Sequence, residues 1–191
     1  MDGRHFTASP TVLVAATSRL ISAIRTTDEP ADIYDDYFRR DATILFDRPR
    51  NIETAGLFRE RLLWRLAQST LTDAIISCDG RTGVTSGTLP ADEMTDAYDL
   101  VWKQDSKGEW RIAAFVTPSR GSGDAQDGAF IRSLTAGCDA PDDSPMVAEG
   151  AGVATGRSSD GSLYWEMHHA ADAAPRFILG AWDGDEWVTR D

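Results

Sequence analysis

The stretch Cys78–Pro118, CDGRTGVTSGTLPADEMTDAYDLVWKQDSKGEWRIAAFVTP, decides the fold, because it reads as three consecutive β-strands. β-Branched and aromatic residues fill Val84 to Thr88, Tyr98 to Trp102 and Trp110 to Val116, and such side chains suit a pleated, half-buried surface. Glycines at 80, 83, 87 and 108 punctuate the runs, and Trp102-Lys-Gln-Asp-Ser-Lys-Gly-Glu-Trp110 reads as a hairpin joining the last two. A few antiparallel strands are not stable alone, so amphipathic helices must cover their apolar face.

Those helices lie upstream. Ser9-Pro10 offers a cap and a first helical residue, and Leu13, Leu20, Ile21 and Ile24 then recur at helical spacing. Thr27-Asp-Glu-Pro30 ends that helix and begins a second with the stripe Ile33, Tyr34, Tyr37 and Phe38. Ala42 to Phe46 is the first strand, ending at Asp47-Arg48-Pro49. A third helix follows over Asn51 to Gln68, with Asn51 as cap and Leu57, Phe58, Leu62, Trp64 and Leu66 among its apolar residues. Leu71 to Ser77 then opens the meander.

Beyond Pro118 the chain turns polar. Residues 119–145 read as a flexible acidic linker with a short helix possible over Ala129 to Ala136. Residues 146–191 read as a β appendage, with strands in Val147 to Gly156, Ser162 to His169, Arg176 to Trp182 and Glu186 to Thr189. Gly83-Val-Thr-Ser-Gly87 echoes Gly152-Val-Ala-Thr-Gly156, and each meander ends in a turn followed by Glu-Trp. The fold class expected is therefore α+β: N-terminal helices packed on a strongly curved antiparallel sheet, a cone spanning residues 1–118, followed by a small C-terminal antiparallel meander.

A formal charge of −12 argues against nucleic acid or an anionic membrane as partner, since both are bound through clustered Lys and Arg. Arg39 to Arg65 is locally basic, with seven arginines against Asp41, Asp47, Glu53 and Glu60. That reads as a solvated face, or as a rim attracting an anionic ligand. Cys78 and Cys138 are too few for a disulfide scaffold, and a bridge between them is expected only in an exported protein. The N-terminus lacks an apolar signal-like run and Val12 to Ala16 is too short to cross a membrane. A soluble chain is expected, cytoplasmic as given, or exported if a leader has been lost.

The order helix, helix, Ala42-Thr-Ile-Leu-Phe46, helix, Ser77-Cys-Asp-Gly80, Gly83-Val-Thr-Ser-Gly87, Tyr98-Asp-Leu-Val-Trp102 and Gly108-Glu-Trp110 resembles the nuclear transport factor 2-like, or cystatin-like, superfamily. Within it the chain looks most like uncharacterised bacterial proteins near the polyketide-cyclase-like (SnoaL-like) and kinase-association-like branches. The resemblance implies a pocket between helices and concave sheet, often at a dimer contact. Relatives range from isomerases, dehydratases and cyclases to non-catalytic association domains, so the site must carry any functional claim. Related sequences often hold an acid four or five residues past the hairpin tryptophan. Here that place falls at Phe115, which lowers the expectation of isomerase-like chemistry.

Metal-free chemistry in such a cone needs a carboxylate moved toward neutrality and a donor for developing negative charge. Asp47 and Asp99 are the candidate catalytic residues; Tyr34, Tyr37, Arg48, Trp64 and Tyr98 are the candidate ligand-binding ones. Strand alternation puts Tyr98, Leu100 and Trp102 on one face and Asp99, Val101 and Lys103 on the other, so Tyr98 and Asp99 do not share a pocket. His168 and His169 point to opposite faces and do not chelate one metal together; no metal or cofactor is expected. Two functions are in view: a protein binding a hydrophobic or anionic small molecule, with lyase, isomerase or cyclase activity open, or a non-catalytic interaction module that pairs with a twin copy. A homodimer is expected in either case.

Overall fold

The computed structural model describes residues 8–45, 49–51, 58–90, 97–117, 131–146, 150, 152–170 and 173–191. Asp47 and Arg48 lie outside these described residues. Among the described residues, three helices, α1 (Thr11–Thr26), α2 (Pro30–Tyr37) and α3 (Phe58–Ala67), accompany eleven strands. Strands β1 (Phe38–Leu45), β2 (Pro49–Asn51), β3 (Thr70–Ile76), β4 (Thr82–Thr88), β5 (Ala97–Gln104), β6 (Trp110–Val116) and β7 (Arg132–Thr135) form one sheet in the order β2-β1-β6-β5-β4-β3-β7. Strands β8 (Val153–Arg157), β9 (Leu163–Ala170), β10 (Ala173–Trp182) and β11 (Trp187–Arg190) form a second, in the order β11-β10-β9-β8.

The centre of the large sheet is the expected antiparallel meander, β3 to β6. Parallel pairs flank it: β1 lies along β6 and β7 along β3. Register shifts between Leu71 and Asp73 and between Val101 and Trp102 are irregularities of the kind that bend a sheet and increase its twist. Glycine is required where β4 passes the Tyr98 side chain. A Cβ on Gly87 would sit 2.6 Å from the Tyr98 ring, so only Gly lets β4 pass beneath that side chain.

Helix α1 buries Leu13, Ala16, Thr17 and Leu20, the i, i+3, i+4, i+7 stripe of an amphipathic helix. Leu13, Ala16 and Leu20 pack in one cluster with Tyr34, Phe38, Tyr98, Leu100, Trp102 and Phe115. Three local expectations change. Ser9 does not cap α1, its hydroxyl lying 2.7 Å from the Thr11 hydroxyl instead. Phe38 begins β1 and does not end α2. Asn51 belongs to β2, and the described part of the third helix starts only at Phe58.

The linker region also differs from a loop with a short helix. Arg132–Thr135 is a strand whose pairing with β3 widens the large sheet. Cys138 just beyond it is bridged to Cys78, with the Cα atoms 5.2 Å apart.

The second sheet packs on the face of the first that the helices leave uncovered. Leu45, Val84, Val101, Ala114 and Val116 from the first join Trp165, Met167, Phe177 and Leu179 from the second in one buried cluster. At its margin the Lys103 ammonium stands 4.8 Å from the centroid of the Trp165 ring, a cation–π contact. Burial, followed by the charge of Arg39, lowers the Lys103 pKa, and Asp41 partly offsets this.

Candidate functional site

Alternation along β5 does what the sequence requires of it. Tyr98, Leu100 and Trp102 enter the helix-side cluster, whereas Val101 enters the cluster beneath the second sheet. The helix side is apolar with a few placed hydroxyls. Thr17 and Thr85, from α1 and β4, sit 3.0 Å apart, and the Trp102 indole N–H donates to Thr85 Oγ1 over 2.9 Å. Sequence reading missed both threonines. The available signal was Thr17 itself, a polar residue on an apolar stripe four positions past Leu13.

Tyr98 is the polar end of this interior. It is fully buried, and its hydroxyl has no hydrogen bond of ordinary geometry. Desolvation pushes its pKa up to about 12; the neighbouring Ser69 hydroxyl pulls it down and the charge of Asp99 pushes it up further. Ser69 donates its own proton to Leu66 O over 2.7 Å. Tyr98 is therefore a neutral donor at physiological pH, in a setting where an unsatisfied hydroxyl costs about 1–3 kcal/mol.

The other candidate residues do not all join it. Tyr34 is buried and stacks, tilted, on Phe38 with ring centroids 5.0 Å apart. Tyr37 is half-buried against the same cluster. Trp64 is 66% exposed, which places it on the surface of α3 and outside the buried cluster. Phe115, at the position where the resemblance leads one to look for an acid, is fully buried in the helix-side cluster.

Asp99 is fully buried but lies on the opposite side of the sheet, so it does not line the cone. Ser86 donates to its Oδ1 over 2.5 Å and Arg190 Nη2 over 3.1 Å. Arg190 also donates to Ser86 Oγ at 2.6 Å, and its Nη1 is 3.6 Å from Asp73 Oδ2. Asp73 in turn binds Arg132 Nε at 2.8 Å and the Thr72 hydroxyl at 2.7 Å. Two carboxylates and two guanidinium groups thus form a partly buried cluster fastening β11 and β7 to β3, β4 and β5. Among the described residues, every buried carboxylate lies either in this cluster (Asp73 and Asp99) or in the second sheet (Glu166).

Helices laid over a bulged meander, with β1 returning parallel to β6, make the α+β cone expected from the sequence. The chain is similar in fold to a nuclear transport factor 2-like protein from Cytophaga hutchinsonii, at 17% identity and a TM-score of 0.40 over 63% of this chain and 100% of that one. It is similar also to a de novo designed protein of the same fold, at 10% identity and a TM-score of 0.42 over 58% and 86%. A third similar structure is a steroid delta-isomerase from Pseudomonas aeruginosa, at 18% identity and a TM-score of 0.37 over 56% and 76%. No family model matches the sequence, and no curated protein matches it. Among the described residues, no helix is long and apolar enough to cross a membrane.

Proposed function

We propose that the helix side of the cone binds a small, mainly apolar molecule carrying one hydrogen-bond acceptor, which Tyr98 engages as a neutral donor. The supporting observation is the Tyr98 hydroxyl itself, buried among apolar side chains with no hydrogen bond of ordinary geometry. An acceptor arriving with the ligand would relieve that cost and add a hydrogen bond in a low-dielectric interior. Binding is favoured over turnover: Phe115 takes the place of an acid, and Asp99 is committed to Arg190 and Ser86 on the far face. The Cys78–Cys138 bridge favours an oxidising compartment as the place of work.

Thermal-shift screening with hydrophobic ketones, carboxylic acids and their hydrocarbon counterparts tests this, because a ligand that binds only the folded state raises its melting temperature. Acceptor-bearing compounds should stabilise the wild type, and Tyr98→Phe should bind them about tenfold more weakly, the loss of one buried hydrogen bond. Equal affinity in the two proteins, or equal shifts by the hydrocarbon series, removes Tyr98 from the reading. A second reading, an interaction module, is favoured by a different observation: the large sheet's outer face is a packing surface, occupied by the chain's own second sheet.

A further inference from the structure

We propose that β8–β11 is a second, helix-free copy of β3–β6, and that the outer face of the large sheet is a homotypic docking surface. Its resident occupant is this internal copy, which the β8–β11 sheet of another chain, carried together with its preceding strand β7, can replace.

Both units are four-stranded meanders in sequential order, and their first turns match bond for bond. Ser77-Cys-Asp-Gly80 and Ser158-Ser-Asp-Gly161 each carry the glycine in the left-handed region, at φ 70° and 75°. In each, the serine hydroxyl donates to the aspartate two residues on, over 2.6 Å. In each, the glycine N–H donates to the serine carbonyl, at 3.0 and 3.1 Å. The same aspartate oxygen accepts the N–H two residues further on, from Arg81 at 2.9 Å and from Ser162 at 3.1 Å. The serine Oγ accepts the N–H five residues on, from Thr82 at 3.1 Å and from Leu163 at 2.9 Å.

The last turns also correspond. Asp105 Oδ1 accepts from Lys107 and Glu109 N–H, as Asp183 Oδ1 does from Asp185 and Glu186. Each of these turns ends in Glu followed by a Trp that opens the final strand. The equivalence extends to the faces: matching Ser77 with Ser158 puts Val84 on Trp165, and both point into the shared cluster between the sheets.

The two first turns clasp each other in a nearly reciprocal way. Asp79 N–H donates to Asp160 Oδ2 at 2.7 Å, while the Ser159 hydroxyl donates to Asp79 Oδ2 at 2.5 Å. The same patch meeting itself is the mark of an isologous, two-fold contact, here realised within one chain. The departure from symmetry explains the choice of occupant. The large sheet offers Asp73, Ser86 and Asp99 to the interface, and β11 answers with Arg190. Two large sheets face to face would oppose those aspartates to their own copies, with no β11 arginine between them.

The disulfide supplies the test: Cys138 lies three residues past β7, where Gly137 N–H donates to Trp182 O and Ala136 packs on Leu163 and Ala181, so a second sheet that exchanges together with β7 carries Cys138 with it, whereas Cys78 stays between β3 and β4. Equal amounts of isotopically heavy and light full-length chain are unfolded, reduced, refolded at high concentration and reoxidised. We expect a dimer fraction in which about half of the Cys78–Cys138 disulfide peptides join one heavy and one light partner, the statistical outcome of two-fold exchange. Refolding at high dilution should return a monomer of 20.9 kDa whose disulfide peptides are all of unmixed mass. Co-refolding Cys78→Ser with Cys138→Ser should then give a covalent dimer linked only through the remaining Cys78 and Cys138. Absence of a dimer fraction at high concentration, a dimer with unmixed disulfides, or linkage between like cysteines overturns the proposal.

Discussion

Replacing Arg190 by methionine keeps much of the side-chain volume and removes the charge, and the geometry around Asp99 sets the cost. Asp99 has no exposed surface and loses an ion pair of 3.1 Å, retaining the 2.5 Å bond from Ser86. Asp73 keeps Arg132 at 2.8 Å, so the penalty falls mainly on Asp99. Stripping one partner from a buried pair costs about 3–5 kcal/mol. The Arg190 side chain is 25% exposed, which favours the lower end, about 3 kcal/mol. In a chain of this size that is roughly 6–12 °C in melting temperature.

The control is Asp99→Asn, in which Arg190 retains Asp73 and some solvent. It should cost about 1–2 kcal/mol, and the double variant should recover about 2 kcal/mol relative to the sum of the singles. Urea unfolding of the four proteins with the disulfide intact measures this. A lowered slope against urea in Arg190→Met alone would show the second sheet loosening before the cone unfolds. Additive single costs, or a loss below about 1 kcal/mol in Arg190→Met, would refute the claim that this cluster fastens the sheets.

The bridge and the buried phenol each give a further measurable outcome. Reducing the Cys78–Cys138 bridge, or replacing both residues by serine, should destabilise the protein by about 4 kcal/mol through the freed 60-residue loop, read by chemical denaturation with and without reductant. Tyr98 supplies an alkaline signature: its folded pKa of about 12 exceeds the ordinary value of 10.0, so the folded state holds the proton longer. Its contribution, roughly 3 kcal/mol, is complete below pH 10 and is lost as pH rises toward 12. Phenolate absorbance should show Tyr98 among the late-titrating tyrosines, beside Tyr164, whose pKa burial also raises, and Tyr98→Phe should remove one late group and flatten the corresponding fall in stability.

The cone was legible in the sequence because its signals are periodic and local. Alternation along Tyr98 to Lys103 assigned each side chain to a face of β5, and the apolar spacing of α1 found Leu13 and Leu20. Boundaries were less legible where a residue serves two elements equally well. Phe38 continues the apolar stripe of α2, yet its extended backbone begins β1. β7 could not be read at all, because a four-residue strand of mostly exposed residues has no alternation to show, and its position depends on pairing with β3 over fifty residues away.

The site is harder to read for a physical reason that also obscures the register of the internal copy. Local pattern says which way Asp99 points but not what stands there, and Arg190 reaches it only because two sheets stack. The glycine echo between Gly83–Gly87 and Gly152–Gly156 compared β4 with β8, strands that play different parts in their meanders. The true correspondence sets Ser77 on Ser158 and survives as little more than Ser-x-Asp-Gly, since only the turn needs particular residues: a hydroxyl, a carboxylate and a positive φ. Along the strands the packing requires apolar volume and not identity, so Val84 and Trp165 occupy equivalent places with nothing in common but burial. A repeat maintained by turn chemistry and sheet packing therefore fades from the sequence first in its strands, and what remains readable is the pair of turns that still hold each other.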